Sequence, residues 1–573
     1  MSLGIWLASL LGLTPGEFAT HCAAADEKLV LVVAAPDYRA ALVPWIAHRR
    51  ARGFRVELID PVEVVGPFEG AAAAEKLREA IAARVPREHD AAPSADGAAP
   101  AAFVLLVGDA PAPGEQLDIS RLVPAAIETE QARPSSPKRF VSDNGFGLPD
   151  ARGRAQLAVG RWPARNAGEV AVQVQKSLKF EESQRPGPHR REITFLATTP
   201  NYSPAFDPLL EQMAMGMINS QIKPHWGLRA LYSSPLSAYF PGPEETQRQV
   251  VRWLEDATPF TLFTGHGYDQ GVDTARYAGR MFKVLDSDVA ERVAGDRPGT
   301  LLWISACSCG DYDLAPPRRG LAEALMMNPR GPTAAVAGSD ETSAWPNLLL
   351  CLGLAHDVID APPATLGEAF LRFKRAAFKP GPPLYKNLLL SMEPIERPEF
   401  TATDHQFLYN LLGDPTLALN LPRKVSFAAR VSEQPATEPG QKKFVVSGTL
   451  DDWESGNAVL SLVIDRTALK ERVPDPALRA EEAERRAAYF DRFVMANDKL
   501  AARAEVAVRD GQFEAELSVS ESLATRVRWL QIYVSNSTAS GSEWSDGAGA
   551  VPLKLVPDDA TNKGTASNRD GVR

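Results

Sequence analysis

What most constrains this chain is a rhythm in its apolar residues: from residue 28 to about residue 422, short unbroken apolar runs alternate with amphipathic stretches. The runs LVLVVAAP, FRVELID, FVLLVGD, QLAVGR, ITFLATTP, LRALYSS, FTLFTGHG, GTLLWISAC and TAAVAGS read as strands. Helical spacing predicts helices over 38–52, 72–84, 166–182, 207–222 and 243–256. Continuous apolar strands joined by helices call for a parallel sheet covered on both faces, an α/β architecture. The Pro186-Gly187-Pro188 turn divides this region into an N-terminal unit, 28–187, and a second α/β unit, 188–422. Beyond residue 423 the texture changes to polar and apolar residues in alternation, as in KKFVVSGTLDDW and RVRWLQIYVSN, without intervening helices. That pattern predicts an all-β sandwich over 423–557, interrupted by an Ala-, Glu- and Arg-rich helical insertion at 474–499. The polar tail 558–573 is expected to be disordered.

With 573 residues the chain exceeds what one hydrophobic core supports. Its net charge of −10 offers no basic face for nucleic acid. No stretch reaches eighteen consecutive apolar residues, so no membrane span is expected. The run LGIWLASLLGL followed by CAAA predicts a signal peptide over 1–27 and an exported protein; the absence of Lys or Arg before the run leaves open a cytoplasmic protein with an apolar leader. Four cysteines, Cys22, Cys307, Cys309 and Cys351, are too few for a disulfide framework. His48, His225, His356 and His405 show no metal-ligand spacing, and neither a metal nor another cofactor is expected.

The chemistry concentrates at two strand ends. Thr264-Gly265-His266-Gly267 closes one apolar run and Ala306-Cys307-Ser308-Cys309-Gly310-Asp311 closes the next. In a parallel sheet both emerge at the same carboxyl edge, where an imidazole can take up the proton of a thiol nucleophile. The N–H groups of Gly267 and Cys307 could then form an oxyanion hole, and the imidazole could protonate the leaving amine. Each residue alone also has a plain structural reading, the histidine as a packed strand terminus and the cysteine as a core thiol. Cys309 reads as a small residue packed behind the nucleophile, or as a redox partner in a strained bridge. Asp311 reads as a helper or as a turn cap, and Cys351, within NLLLCLGLA, as a buried core thiol.

TGHG followed by ACSCGDY resembles the gingipain family of caspase-like cysteine peptidases, whose motif reads Gly-His-Gly, then Ala-Cys, two variable residues, Gly-Asp and an aromatic. LLVGD, SDN, AVGRWPAR, AEALM, GSDETSAW and LLGDPTL resemble family segments in the same order. The resemblance spans about 28–422, and the following sandwich resembles the immunoglobulin-like domain that trails gingipain catalytic regions. It implies a caspase-like fold in two subdomains and a cysteine endopeptidase acting on protein or peptide substrates. Carried over by position, Cys307 is nucleophile, His266 is base, and the N–H groups of Gly267 and Cys307 are the oxyanion donors. Trp345 matches the tryptophan lining the specificity pocket of arginine-cleaving gingipains. Glu169 falls near their pocket carboxylate, although a glutamate in the first turn of a helix is also favoured by the helix dipole. Gln156 stands where some gingipains carry an acid, which leaves Asp150 or a backbone carbonyl to orient His266. The first strand follows the leader directly, without the long propeptide of better-known members, so restraint is expected either from elsewhere or from the long 111–139 excursion. Two other functions stay open: an inactive scaffold whose sandwich binds a partner, and a thiol hydrolase of small amides or esters.

Overall fold

The computed structural model describes residues 28–85, 100–199, 207–256, 258–272, 274–296, 299–393, 395–471, 473–479, 481–537 and 544–555. The predicted leader at 1–27 and the tail at 558–573 lie outside the described residues.

The nine apolar runs form nine strands of one sheet and a segment not read as a strand supplies a tenth: β1 (Lys28–Ala34), β2 (Phe54–Ile59), β3 (Phe103–Val107), β4 (Ala158–Trp162), β5 (Glu192–Ala197), β6 (Gly227–Tyr232), β7 (Phe260–Thr264), β8 (Leu301–Ser305), β9 (Ala334–Gly338) and β10 (Tyr409–Leu412). They lie in the order β2-β1-β3-β4-β10-β9-β8-β7-β5-β6. Every neighbouring pair is parallel except β9–β10. The four strands before residue 187 therefore run opposite to the block from β9 to β6, and β10 joins the blocks. Because successive side chains in a strand point to opposite faces, each strand feeds two cores. Val30, Val32, Leu302 and Ile304 pack under helices α1 (Arg39–Ala51), α2 (Ala167–Glu182), α3 (Pro243–Glu255) and α4 (Leu321–Met327). On the opposite face Leu301, Trp303, Val336 and Tyr409 pack under α5 (Ala344–Gly353) and α6 (Leu366–Arg375).

The resemblance-bearing segments turn out to hold buried ion pairs. Arg161 of AVGRWPAR is fully buried and forks onto both oxygens of Asp143 of SDN at 2.7 Å. Arg165 reaches Asp109 of LLVGD at 2.7 Å. Asp414 of LLGDPTL receives Arg49 at 2.6 Å and the Trp45 indole N–H, while Arg49 also contacts Glu181 at 2.9 Å. A buried guanidinium requires such pairing, because an uncompensated charge away from water costs several kcal/mol.

After residue 422 a five-stranded and a three-stranded sheet stack around Phe444, Leu460, Leu462, Phe513, Leu530 and Ile532. The insertion is a single helix, α8 (Glu482–Asn497), when α7 denotes the helix Thr401–Leu408 that precedes β10. Its aromatic face leaves the sandwich and packs on the α/β region, with Phe493 on Trp253 (5.5 Å between centroids) and Tyr489 on Phe240 (5.1 Å). Among the described residues no helix is long and apolar enough to cross a membrane.

Candidate active site

Strand register brings the two motif ends together. β7 and β8 pair in parallel with Thr264 opposite Ser305. His266 and Cys307 therefore each stand two residues beyond a matched pair, at the same edge of the sheet. Gly265 has φ +150°, and a Cβ there would come 2.1 Å from Thr198 Oγ1, so only glycine lets the chain pass the end of β5. Gly267 lies against the opposite loop: a Cβ would meet Cys309 Sγ at 2.5 Å and the Cys307 carbonyl at 2.6 Å. The histidine loop and the cysteine loop are thus in backbone contact.

Past Cys307 the chain reverses at Ser308, whose φ of +55° is left-handed and costly for a non-glycine residue. Hydrogen bonds from Ser308 N–H to the Asp340 carbonyl (3.0 Å) and from Gly310 N–H to the Gly338 carbonyl (2.8 Å) hold that reversal against the end of β9. The thiol is half-buried and gripped by one residue: Thr342 N–H donates to Sγ at 3.4 Å, and the Thr342 carbonyl and hydroxyl each lie 3.7 Å from it. Burial pushes the Cys307 thiol up; the Thr342 hydrogen bonds oppose this, and the charges of Glu341 and Glu393 add to it. Burial being the largest of these influences, the surroundings of Cys307 favour the neutral thiol over the thiolate.

Thr342 is itself backed by residues that sequence reading did not single out for the site. Asn347 Nδ2 donates to Thr342 Oγ1 at 2.8 Å, and Tyr409 O–H donates to Asn347 Oδ1 at 2.8 Å. His405, assigned no role from sequence, accepts the Ser343 N–H at Nε2 (3.0 Å), and Glu393 accepts the Ala344 N–H. The 111–139 excursion reaches the same loop, since Arg133 lies 3.5 Å from Ser343 Oγ and from Glu393, and Lys138 pairs with Glu341. The signal available beforehand was the polar run Ser339-Asp340-Glu341-Thr342-Ser343 directly after an apolar strand.

The remaining sequence-derived residues are distributed as follows. Trp345 is buried in the first turn of α5, three residues from Thr342, with its ring edge against Gly381. Glu169, in the first turn of α2, has its carboxylate on Arg319 (2.8 Å), the Arg165 N–H (2.8 Å) and Asn166 Nδ2 (3.2 Å). The two residues assigned to substrate binding therefore have different surroundings. Asp150 accepts from Arg152 and Arg154 within its own turn, and Gln156 is exposed. Asp311 is pushed up to about 8 by burial and by the neighbouring Asp313 and Asp269. Cys309 is fully buried as a free thiol that donates to the Gly271 carbonyl at 3.5 Å. Cys351 is less enclosed than a core thiol: half-buried, it lines a small cavity of about 50 Å³ with Thr264, Trp303, Ser305 and Phe373, and burial raises it to about 11. Its helix presents it to a gap beneath the strand ends, where packing is incomplete.

Residues 24–420 match the family described as Peptidase family C25. Among solved structures, the Arg-specific cysteine proteinase gingipain R is similar at 14% identity, covering 91% of this chain and 97% of its own, with a TM-score of 0.49. The complex of RgpB pro- and mature domains from Porphyromonas gingivalis is similar at 14% identity, 91% and 99% coverage and the same score. Dimeric latent PorU from Porphyromonas gingivalis is similar at 15% identity, covering 93% of this chain and 44% of its own, with a TM-score of 0.32. No curated protein sequence matches.

Proposed function

Since this chain belongs to peptidase family C25, the gingipain family of cysteine peptidases, we propose that it is an endopeptidase working through a Cys307–His266 dyad. What supports this reading is the Thr264–Ser305 register, two residues before His266 and Cys307 on neighbouring strand ends. As the substrate carbonyl approaches, His266 removes the Cys307 proton and the sulfur adds to the carbonyl carbon. The N–H groups of Gly267 and Cys307 receive the resulting oxyanion. Collapse of this intermediate breaks the C–N bond, and the imidazolium returns its proton to the amine. Water, deprotonated by His266, then adds to the thioester, and its collapse releases the acid and restores the thiol.

Thr342 keeps the resting sulfur in place, and the Asn347–Tyr409 pair behind it makes Thr342 a fixed support. Trp345, in the first turn of the helix that follows this loop, would offer an apolar wall for the side chain on the acyl side of the cut bond. Glu169 would have to exchange Arg319 for a substrate guanidinium before it could confer arginine preference, so its role as partner of Arg319 is the better supported. Export is proposed on the leader sequence alone.

The test is hydrolysis of a peptide library by the parent, Cys307→Ala and His266→Ala, alongside iodoacetamide labelling. Internal cleavage by the parent alone, with label on Cys307, is expected. Turnover surviving in either variant would defeat the dyad; an inert thiol with no cleavage would favour the scaffold reading, and cleavage of only small amides or esters the hydrolase reading.

A further inference from the structure

Between the α/β region and the sandwich, the described residues line a half-open cavity of about 690 Å³. One wall is the five-stranded sheet. Ser461 pairs with Arg503 on one side and Gln531 on the other, so these three side chains stand in a row on one face. Arg191, from the turn that leads into β5, enters from the catalytic side. It is only 4% exposed, yet its Nη2 reaches nothing closer than Ser461 Oγ at 3.4 Å and its Nη1 has no partner among the described residues.

The neighbouring carboxylates do not neutralise it. Asp498 pairs with Lys470 at 2.6 Å, and Asp465 accepts from Thr467 N–H and O–H at 2.8 and 2.6 Å. Glu192 is pushed up by its own burial, with Arg229, Arg191 and Arg503 pulling the other way. The other cations lining the cavity have partners: Arg466 donates to the carbonyls of Lys223 and Trp226, Lys499 to that of Ala468, and Arg229 pairs with Asp256. That leaves no carboxylate within hydrogen-bond reach of Arg191 among the described residues; burial and then the like charge of Arg503 bring it down to about 10, against the pull of Glu192 and Tyr533. A buried guanidinium with one nitrogen unpartnered, and a second one on the same cavity lining beside Ser461, lack an anion among the described residues. Among the described residues, the other buried arginines, Arg49, Arg161 and Arg190, each have a carboxylate partner.

We propose that this cavity binds an oxyanion, a phosphate or a free carboxylate, held between Arg191 and Arg503 with the Ser461 hydroxyl as a further donor. The planar fork of arginine suits two-point recognition of such groups. The volume leaves room for an organic group carrying the anion, and a ligand here would clamp the sandwich to the catalytic region.

Calorimetric titration of the full chain tests this with two probes: inorganic phosphate, and an N-acetylated dipeptide with a free C-terminal carboxylate set against its amide. Saturable binding of at least one anion is expected, none of the amide, and a loss of roughly tenfold or more in affinity in Arg503→Gln and in Arg191→Gln. Phosphate bound without the dipeptide identifies a phosphate ligand, and the converse a peptide carboxylate. Arg503 is exposed, so its variant keeps the fold and decides the matter should Arg191→Gln fail to fold. Neither anion binding saturably, the amide binding as well as the acid, or Arg503→Gln binding like the parent overturns the proposal.

Discussion

Replacing His405 by glutamine should flatten the acid limb of the stability curve. The imidazole is 1% exposed, with Nδ1 2.7 Å from the Thr401 carbonyl and Nε2 accepting the Ser343 N–H. These partners fix the neutral tautomer with its proton on Nδ1. Burial holds His405 down to about 4 from an ordinary 6.5, with the Thr401 carbonyl opposing and Arg133 adding to the fall. Because the folded value is the depressed one, the unfolded chain takes up the proton first. The contribution is complete above 6.5 and is lost as pH falls from there toward 4. The gap of about 2.5 units corresponds to about 3 kcal/mol. Glutamine can still accept from Ser343 through its side-chain oxygen but does not titrate. Urea unfolding of parent and variant across pH 7 to 4 should show the parent losing about 3 kcal/mol more than the variant. Equal slopes in the two proteins would refute the assignment of this loss to His405.

Asn347→Ala removes both the support of Thr342 and the acceptor of the Tyr409 hydroxyl. It should cost about 1–3 kcal/mol in stability, and it should move the pH midpoint of Cys307 alkylation upward; an unchanged midpoint would show that Thr342 needs no backing. Asp414→Ala strips Arg49 and the Trp45 indole of their shared acceptor and is expected to destabilise by about 3–5 kcal/mol in denaturant unfolding. A loss under 1 kcal/mol there would mean that water or Glu181 takes over.

How much could be read beforehand follows from the range of the interactions concerned. Strands such as LVLVV and LLWIS are legible because continuous apolar runs have one stable use, burial on both faces of a sheet. The glycines around His266 and the cysteine four residues before Asp311 were visible as local sequence. The order of the strands was not, because it depends on β10, four residues long, whose Leu412 bridges to Arg161 far earlier in the chain. The backing of the thiol is hidden for the same reason: Thr342, Asn347, His405 and Tyr409 carry no periodicity and meet only once the sheet closes. Helix α8 was legible from its composition, whereas its docking through Phe493 onto Trp253 depends on a surface that no local pattern encodes. The segments LLVGD, SDN and LLGDPTL were conspicuous as resemblance, and the structure gives them a physical task, supplying anions to sealed-in arginines.

The position of β10 bears on how such a molecule is made. During translation, His266 and Cys307 emerge well before the strand that completes their platform. Until Leu412 has left the ribosome, β9 and β4 each keep an open edge, and unpaired edges attract other chains. A nascent chain released before that point would hold thiol and imidazole on an unfinished support, with His405 and Tyr409 not yet seated. Chain order thus leaves the support of Cys307 to be built last.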